Sequence, residues 1–189
     1  KTHQELEQFD VAESLLKSKI AIYRNPSLII ELGYNFQLQD QMDKANECYE
    51  EGLSKLEERP DYAPLIGRQF EQHSLLDYAI KTYNKAMELD PKLNYNRELA
   101  NVYGEQGNIE MLFTNYLAYI EVKPQFLNSA KREFSDFVSE NKDNENNKLL
   151  RKLLLKKIQS QPDTYWYEML SWLYIQEKAY DRAFTQEKA

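Results

Sequence analysis

The chain has 189 residues, of which 5 are glycine and 6 proline, and its formal net charge at pH 7 is −7. So few glycines and prolines disfavour a turn-rich β protein. The acidic balance argues against duplex nucleic acid or an anionic membrane as partner, because both need clustered lysine and arginine. The single cysteine, Cys48, excludes an internal disulfide, and no apolar run approaches the ~18 residues of a membrane span.

Residues 1–25 predict part of a helix pair. Phe9-Asp10-x-Ala12 is typical of the start of a second helix whose first helix is mostly missing. The chain begins at Lys1 without a methionine and ends at Ala189 inside another predicted helix. We therefore expect a fragment of a longer protein.

From residue 26 onward, a first-helix motif recurs. It joins a large apolar residue, a small residue and an aromatic: Leu32-Gly33-x-x-Phe36, Ile66-Gly67-x-x-Phe70 and Leu99-Ala100-x-x-Tyr103. Gly67 follows Gly33 by 34 residues, and Ala100 follows Gly67 by 33. A fixed period of this length predicts a repeat architecture.

A second-helix motif follows each first one, after a turn-competent stretch. The turns are Gln39-Asp40-Gln41, Gln72-His73-Ser74 and Gln106-Gly107-Asn108. The motifs are Ala45-x-x-x-Tyr49-x-x-Gly52, Ala79-x-x-x-Tyr83-x-x-Ala86 and Leu112-x-x-x-Tyr116-x-x-Tyr119. Small residues let two helices cross closely, aromatics fill the gap to the next unit, and proline ends the second helix. We expect clear units at 26–59, 60–92 and 93–126.

The last third of the chain departs from this regularity. Residues 127–163 predict a divergent unit with a loop insertion, and residues 164–189 predict another partial unit. Phe134, Phe137 and Val138 indicate one helix face, the polar run 142–147 a loop, and Leu149 to Ile158 a second helix. The stretch from Leu170 to Ala183 indicates a first helix and the opening of a second.

These units resemble the tetratricopeptide repeat family, which combines these first- and second-helix patterns with a closing proline. The unit 93–126 departs from it at Leu112 and Tyr119, where small residues are usual. The resemblance implies an all-α fold, a right-handed superhelical α-solenoid of stacked antiparallel helix pairs forming a single array over 1–189. It also implies a protein–protein interaction scaffold that binds a peptide or protein partner in its concave groove.

A looser resemblance links the whole stretch to tetratricopeptide proteins of Bacteroidetes-type bacteria, through Leu75 to Ala79 and Ala183 to Ala189. Such proteins are often exported. On that basis alone the expected location is the bacterial periplasm or cell envelope.

In the family, the first helices line the groove. Carried over residue by residue, this gives as partner-binding candidates Tyr34, Gln37, Arg68, Glu71, Arg97, Asn101, Glu105, Trp172 and Gln176. A wider set adds Ile30, Leu38, Gln72, Asn94 and Glu168. The Lys and Asn clamp that some members use for a C-terminal carboxylate is incomplete here. Arg68, Arg97 and Asn101 either form an anion-tolerant spot or are solvated or paired within the chain.

No pattern predicts an enzyme, a cofactor or a metal site. His3 and His73 have no second histidine or cysteine at ligand spacing, and His73 is expected to be a solvated turn residue. Cys48 lacks a predicted base and is expected to pack between helices. The basic run 148–157 is expected to be the solvated face of a packed helix, or else to contact an acidic partner.

Two other functions stay open. The chain is alternatively an interaction or regulatory module of a larger protein whose active domain lies elsewhere, or a self-assembling repeat. The oligomeric state is left undetermined. RNA binding by helical repeats would need a basic groove, which the composition contradicts.

Overall fold

The computed structural model describes residue 4 and residues 6–187, and the regular structure in that part is helical. His3, Lys1 and Ala189 lie outside the described residues. The described part holds eleven α-helices: α1 Phe9–Tyr23, α2 Ser27–Gln37, α3 Met42–Glu58, α4 Ala63–Gln72, α5 Leu76–Leu89, α6 Asn96–Glu105, α7 Ile109–Val122, α8 Leu127–Ser135, α9 Glu145–Ser160, α10 Thr164–Gln176 and α11 Tyr180–Glu187. Short 3₁₀ turns, Pro60–Tyr62 and Pro124–Phe126, precede α4 and α8.

Periodic burial explains why these segments are helices. In α5 the buried side chains are Ala79, Thr82, Tyr83 and Ala86. Thr82 and Tyr83 each stand three or four residues from Ala79 and from Ala86, so the four share one face. Helix α3 repeats the pattern with buried Ala45, Cys48, Tyr49, Gly52, Leu53 and Leu56. No helix of the described part has both the length and the apolar character that crossing a bilayer requires.

Among the described residues, the same turn joins α2 to α3, α4 to α5, α6 to α7 and α10 to α11, which confirms the three turn-competent stretches. One residue adopts the left-handed conformation, with φ of +57° at Asp40, +56° at Ser74, +73° at Gly107 and +58° at Lys178. The next residue's N–H then donates to a carbonyl five residues back, as in Gln41 to Phe36 and Leu75 to Phe70. This caps the first helix and turns the chain into the second.

The contacts divide the chain into two compact units, Lys1–Tyr95 and Asn96–Ala189. In the first unit α2 packs on α1 and α3, and α4 and α5 pack on each other and on α2 and α3. In the second, α7 packs on α6, α8 and α9, and α10 on α8, α9 and α11. All-α stacking of helix pairs is thus confirmed within each unit, whereas the right-handed superhelix and the repeat limits over 1–189 stay predictions.

Glycines create the close helix crossings of the first unit, as predicted. A Cβ added at Gly33 would lie 2.5 Å from Tyr49 Cε1, and one at Gly67 would lie 2.4 Å from Tyr83 Cζ. Tyr49 also reaches the next pair, since its ring centroid lies 5.5 Å from that of Phe70. The aromatic ring therefore joins two helix pairs, which is the role the repeat motif predicts for it.

The second unit explains the departure at Leu112. The small residue stands instead in the first helix of the pair, because a Cβ added at Gly104 would lie 2.8 Å from Leu112 Cδ1. The core of this unit is aromatic, with Phe113 and Phe134 in an edge contact at 4.7 Å and Trp166 fully buried.

The divergent unit corrects two sequence predictions. Helix α8 ends at Ser135, so Phe137 and Val138 lie beyond it rather than on its face. Helix α9 starts at Glu145, inside the predicted loop, because Asn144 Oδ1 accepts hydrogen bonds from the N–H groups of the first turn, at 2.9 and 3.2 Å. The connection therefore spans residues 136–144.

Candidate partner-binding surface

Two first-helix candidates of the first unit remain at its surface. Arg68 on α4 is exposed, and its side chain makes no hydrogen bond or ion pair with another residue in the part of the chain that the structure describes. Tyr34 on α2 is half-buried, with its ring stacked on the imidazole of His73 at a centroid distance of 3.7 Å. Arginine and tyrosine are side chains that anchor protein interfaces.

Gln37 and Glu71 are engaged within their own helix pairs. Gln37 Oε1 accepts a hydrogen bond from the Tyr49 hydroxyl at 2.8 Å, and Glu71 Oε1 accepts one from the Tyr83 hydroxyl at 2.6 Å. Donor and acceptor stand 12 residues apart in both cases. Burial raises the pKa of Tyr49, so the hydroxyl stays a donor. These two candidates satisfy buried hydroxyls as well as facing the surface.

His73 is not a solvated turn residue, which corrects the sequence prediction. Its Nε2 lies 2.8 Å from Glu31 Oε2, and its side chain is only 13% exposed. Gln69 Nε2 donates to the same Glu31 oxygen at 2.6 Å. Burial raises the pKa of Glu31, but the hydrogen bond and charge of His73 outweigh it and leave that pKa below its ordinary value. A polar cluster thus joins α2 to the end of α4.

In the second unit, three candidates share one face of α6. Arg97, Asn101 and Glu105 are exposed and follow one another at four-residue spacing. Burial and the charge of Glu133 raise the pKa of the Tyr116 hydroxyl, and the positive charge of Arg97 opposes that rise. The side chains of Asn101 and Glu105 have no hydrogen-bond or ion-pair partner among the described residues. The anion-tolerant spot predicted for Arg68, Arg97 and Asn101 stays a prediction.

The candidates of α10 lie partly inside the second unit. Trp172 is half-buried against the core. Gln176 is half-buried and lines a cleft of about 310 Å³ together with Val138, Ile175 and Tyr180. In the wider set, Glu168 Oε1 accepts a hydrogen bond from Lys131 Nζ at 2.6 Å.

Two members of the wider set are placed differently from the prediction. Ile30 is fully buried, with its Cδ1 2.3 Å from where a Cβ on Gly52 would be. It is a core residue because Gly52 leaves room for it. Asn94 precedes α6, which starts at Asn96, so it is not a first-helix residue. Leu38 and Gln72 are exposed at the ends of α2 and α4.

Cys48 packs between helices, as predicted. It is buried on α3, and burial raises the pKa of its thiol, which disfavours the nucleophilic thiolate. Among the described residues, no group of three or more histidine, cysteine, aspartate or glutamate side chains is arranged to hold a metal ion.

Sequence reasoning missed Glu31 and Gln69, and one signal was available for the tyrosine contacts. A hydrogen-bond acceptor stands 12 residues before the tyrosine in two units, Gln37 before Tyr49 and Glu71 before Tyr83. Aligning the sequences of the two units would therefore have predicted both contacts. The pairing of Glu31 with His73 spans 42 residues and has no counterpart in the repeat pattern.

The comparisons with known proteins add little to this geometry. No family model and no curated protein matches the chain. Among solved structures, the chain is similar to the crystal structure of MamA, with 15% identity over 99% of this chain and 89% of that one, and a TM-score of 0.43. The description of the fold as an all-α helical repeat therefore rests on the helix pairs themselves.

Proposed function

We propose that this chain is a protein-interaction scaffold that binds a peptide or protein segment on the exposed side chains of its first helices. The observation that carries the proposal is the contrast along those helices. Arg68, Asn101 and Glu105 are exposed, and their side chains have no partner among the described residues. By contrast, Gln37 and Glu71 close contacts inside their pairs.

The chemistry of these side chains suits a peptide. Arg68 can grip a carboxylate in a bidentate manner, and the stacked rings of Tyr34 and His73 offer a rigid flat surface at low entropic cost. In the second unit, Asn101 and Glu105 can bond the donors and acceptors of a peptide backbone or its polar side chains.

The proposal includes the absence of catalysis in this chain. Cysteine and histidine are the side chains of the described part best suited to catalysis, and both are engaged in the fold. Cys48 is a buried thiol, and His73 is bonded to Glu31 and stacked on Tyr34. A role as an interaction module of a larger protein is compatible with this proposal.

A displayed library of random peptides, selected on the full chain, tests the proposal. We expect enriched peptides whose affinity for the Arg68→Ala, Arg97→Ala double variant is about tenfold weaker, because the variant lacks the charged contacts that these arginines make with the peptide. The matched control is Lys19→Ala, Lys92→Ala, which removes the same charge from exposed positions. Equal affinity of every selected peptide for the two double variants would exclude the proposed surface.

Self-assembly is the second candidate, and one observation favours it. Val11, Leu15 and Ile22 of α1 are 47%, 45% and 70% exposed and follow one helix face. Sedimentation velocity over a concentration series decides: assembly that disappears in a Val11→Lys, Leu15→Lys variant supports this candidate, and a concentration-independent monomer excludes it.

A further inference from the structure

The basic run on α9 contains two lysines that pair with none of the described residues. Lys148 bonds Glu145 on its own helix at 2.9 Å, Arg151 bonds Glu177, and Lys157 bonds Glu121 on α7. Lys152 and Lys156 are exposed and form no ion pair with any residue that the structure describes. They stand four residues apart and so share one face of α9.

In the first unit, exposed lysines of a second helix form ion pairs with the neighbouring second helix. Between its second helices α3 and α5, Lys81 Nζ lies 2.6 Å from Glu50 Oε1, and Lys85 Nζ lies 2.9 Å from Glu57 Oε1. The lysines of one second helix thus bond the glutamates of the preceding second helix. These bridges link α5 to α3 at two points along the helices.

Helix α7 does not supply the same row of glutamates to α9. Opposite the basic run it presents Thr114, Leu117 and Ala118, and its Glu121 is already taken by Lys157. Glu110, one turn before Thr114, lies at the far end of α7 from Glu121. Lys157 and Glu121 bridge the two helices at one end, and the groove beside that bridge stays open.

The open groove is a cleft of about 280 Å³. Its floor is apolar, with Leu117 fully buried and Leu153 half-buried. Its edge is basic and polar, formed by Lys156, Lys157, Thr114 and Ser160. This volume is below that of drug-sized ligand pockets and suits one or two side chains of a peptide.

We propose that the cleft between α7 and α9 binds an acidic amphipathic segment of a partner protein. An apolar side chain of the segment fills the space above Leu117 and Leu153, while its carboxylates pair with Lys152 and Lys156. The partner is acidic because the unpaired charges that flank the cleft are positive. The inference goes beyond the proposed function, because this surface lies on second helices and needs none of the first-helix candidates.

A protein segment is favoured over nucleic acid or an anionic membrane. Phosphate backbones are held by many cations that track their charge. This cleft is lined by Lys156 and the paired Lys157, with Lys152 one turn before Lys156, on a chain of net charge −7. Its narrow apolar floor also matches a single side chain better than a lipid surface. Both alternatives are outcomes of the test below.

The test uses the same displayed library, selected once on the full chain and once on its Lys152→Glu, Lys156→Glu variant. We expect peptides rich in glutamate or aspartate with apolar residues at helical spacing, enriched on the parent chain and lost on the variant. For one such peptide, fluorescence anisotropy should show affinity at least tenfold weaker for the variant, and binding that weakens with added salt.

The control variant Lys19→Glu, Lys92→Glu makes the same charge change at exposed positions of the first unit and should leave the affinity unchanged. The Arg68→Ala, Arg97→Ala variant should also bind the acidic peptide normally, so failure of the first-helix surface and failure of this cleft are told apart. Circular dichroism melting verifies that each variant folds.

Three results would overturn the inference. The first is a parent selection without acidic amphipathic peptides. The second is equal affinity of such a peptide for the charge-reversed and control variants. The third is lysine-dependent binding of duplex RNA or phosphatidylserine vesicles in place of the peptide.

Discussion

Each unit contains a polar cluster away from solvent, and the two clusters differ in depth. In the first unit, Glu31 and His73 keep 16% and 13% of their side-chain surface and lie against Tyr34, a candidate of the binding surface. In the second, Glu177 has no exposed side-chain surface, and it accepts a hydrogen bond from Arg151, which also donates to the Lys142 carbonyl at 3.2 Å. The shallow cluster borders the proposed binding surface, whereas the deep one holds the 136–144 connection through the Lys142 carbonyl.

The largest effect should come from breaking the deep pair. Glu177→Gln keeps the shape but leaves the Arg151 guanidinium without its charge partner, so the free energy of unfolding should fall by about 3 kcal/mol. Urea denaturation followed by circular dichroism measures this. Glu140→Gln, which removes the exposed partner of Lys178, is the matched control and should change little. Equal losses in the two variants would contradict the distinction in depth.

The next effect concerns the amide that holds the same connection. Asn147 is fully buried, and it accepts from Ser139 N–H at 3.0 Å and donates to the Ser139 carbonyl at 2.7 Å. Asn147→Ala leaves these buried backbone groups unpaired and should cost about 2 kcal/mol. Hydrogen exchange should also speed up at the Ser139 amide. Unchanged exchange there would show that the asparagine does not hold the connection.

The shallow cluster should give a smaller, pH-dependent effect. Because the folded-state pKa of Glu31 is lowered, its contribution is present above the unfolded pKa and is lost as pH falls through the folded value. Glu31→Gln should cost about 1 kcal/mol at neutral pH and should lose less stability than the parent between neutral pH and about pH 3. Parallel acid limbs for parent and variant in urea denaturation would contradict this account.

Exposed ion pairs should have the smallest effect on the free energy of unfolding. Lys81 and Glu50 keep 52% and 56% of their side-chain surface, so Lys81→Ala should change stability by at most about 0.5 kcal/mol. The same denaturation series measures it. A loss as large as that of Glu177→Gln would mean that burial does not rank these ion pairs.

The helix crossings and the turns within each helix pair could be predicted from the sequence. A small residue facing an aromatic ring at a helix crossing leaves a spacing pattern, so Gly33 with Tyr49 and Gly67 with Tyr83 were predictable. The turns at Asp40, Ser74 and Gly107 were predictable for the same reason, because each unit repeats them.

The long-range polar contacts were not predictable in this way. Glu31 meets His73 only because α2 and α4 are neighbours, and nothing in the residues around His73 distinguishes a solvated turn from a stacked and bonded ring. Likewise, the resemblance to tetratricopeptide repeats predicts Ile30 on the groove, yet Gly52 leaves room for it in the core. Helix bounds in the divergent unit depended on Asn144, a cap inside a run of polar residues.

Mapping a bound peptide by two-dimensional NMR tests the central claim most directly. The measurement is the change in backbone amide shifts of the full chain on titration with a peptide selected for Arg68 dependence. If exposed first-helix side chains hold the partner, the largest changes will lie on α2 and α4 near Tyr34 and Arg68. Changes confined to α1 or spread evenly over the chain would contradict it.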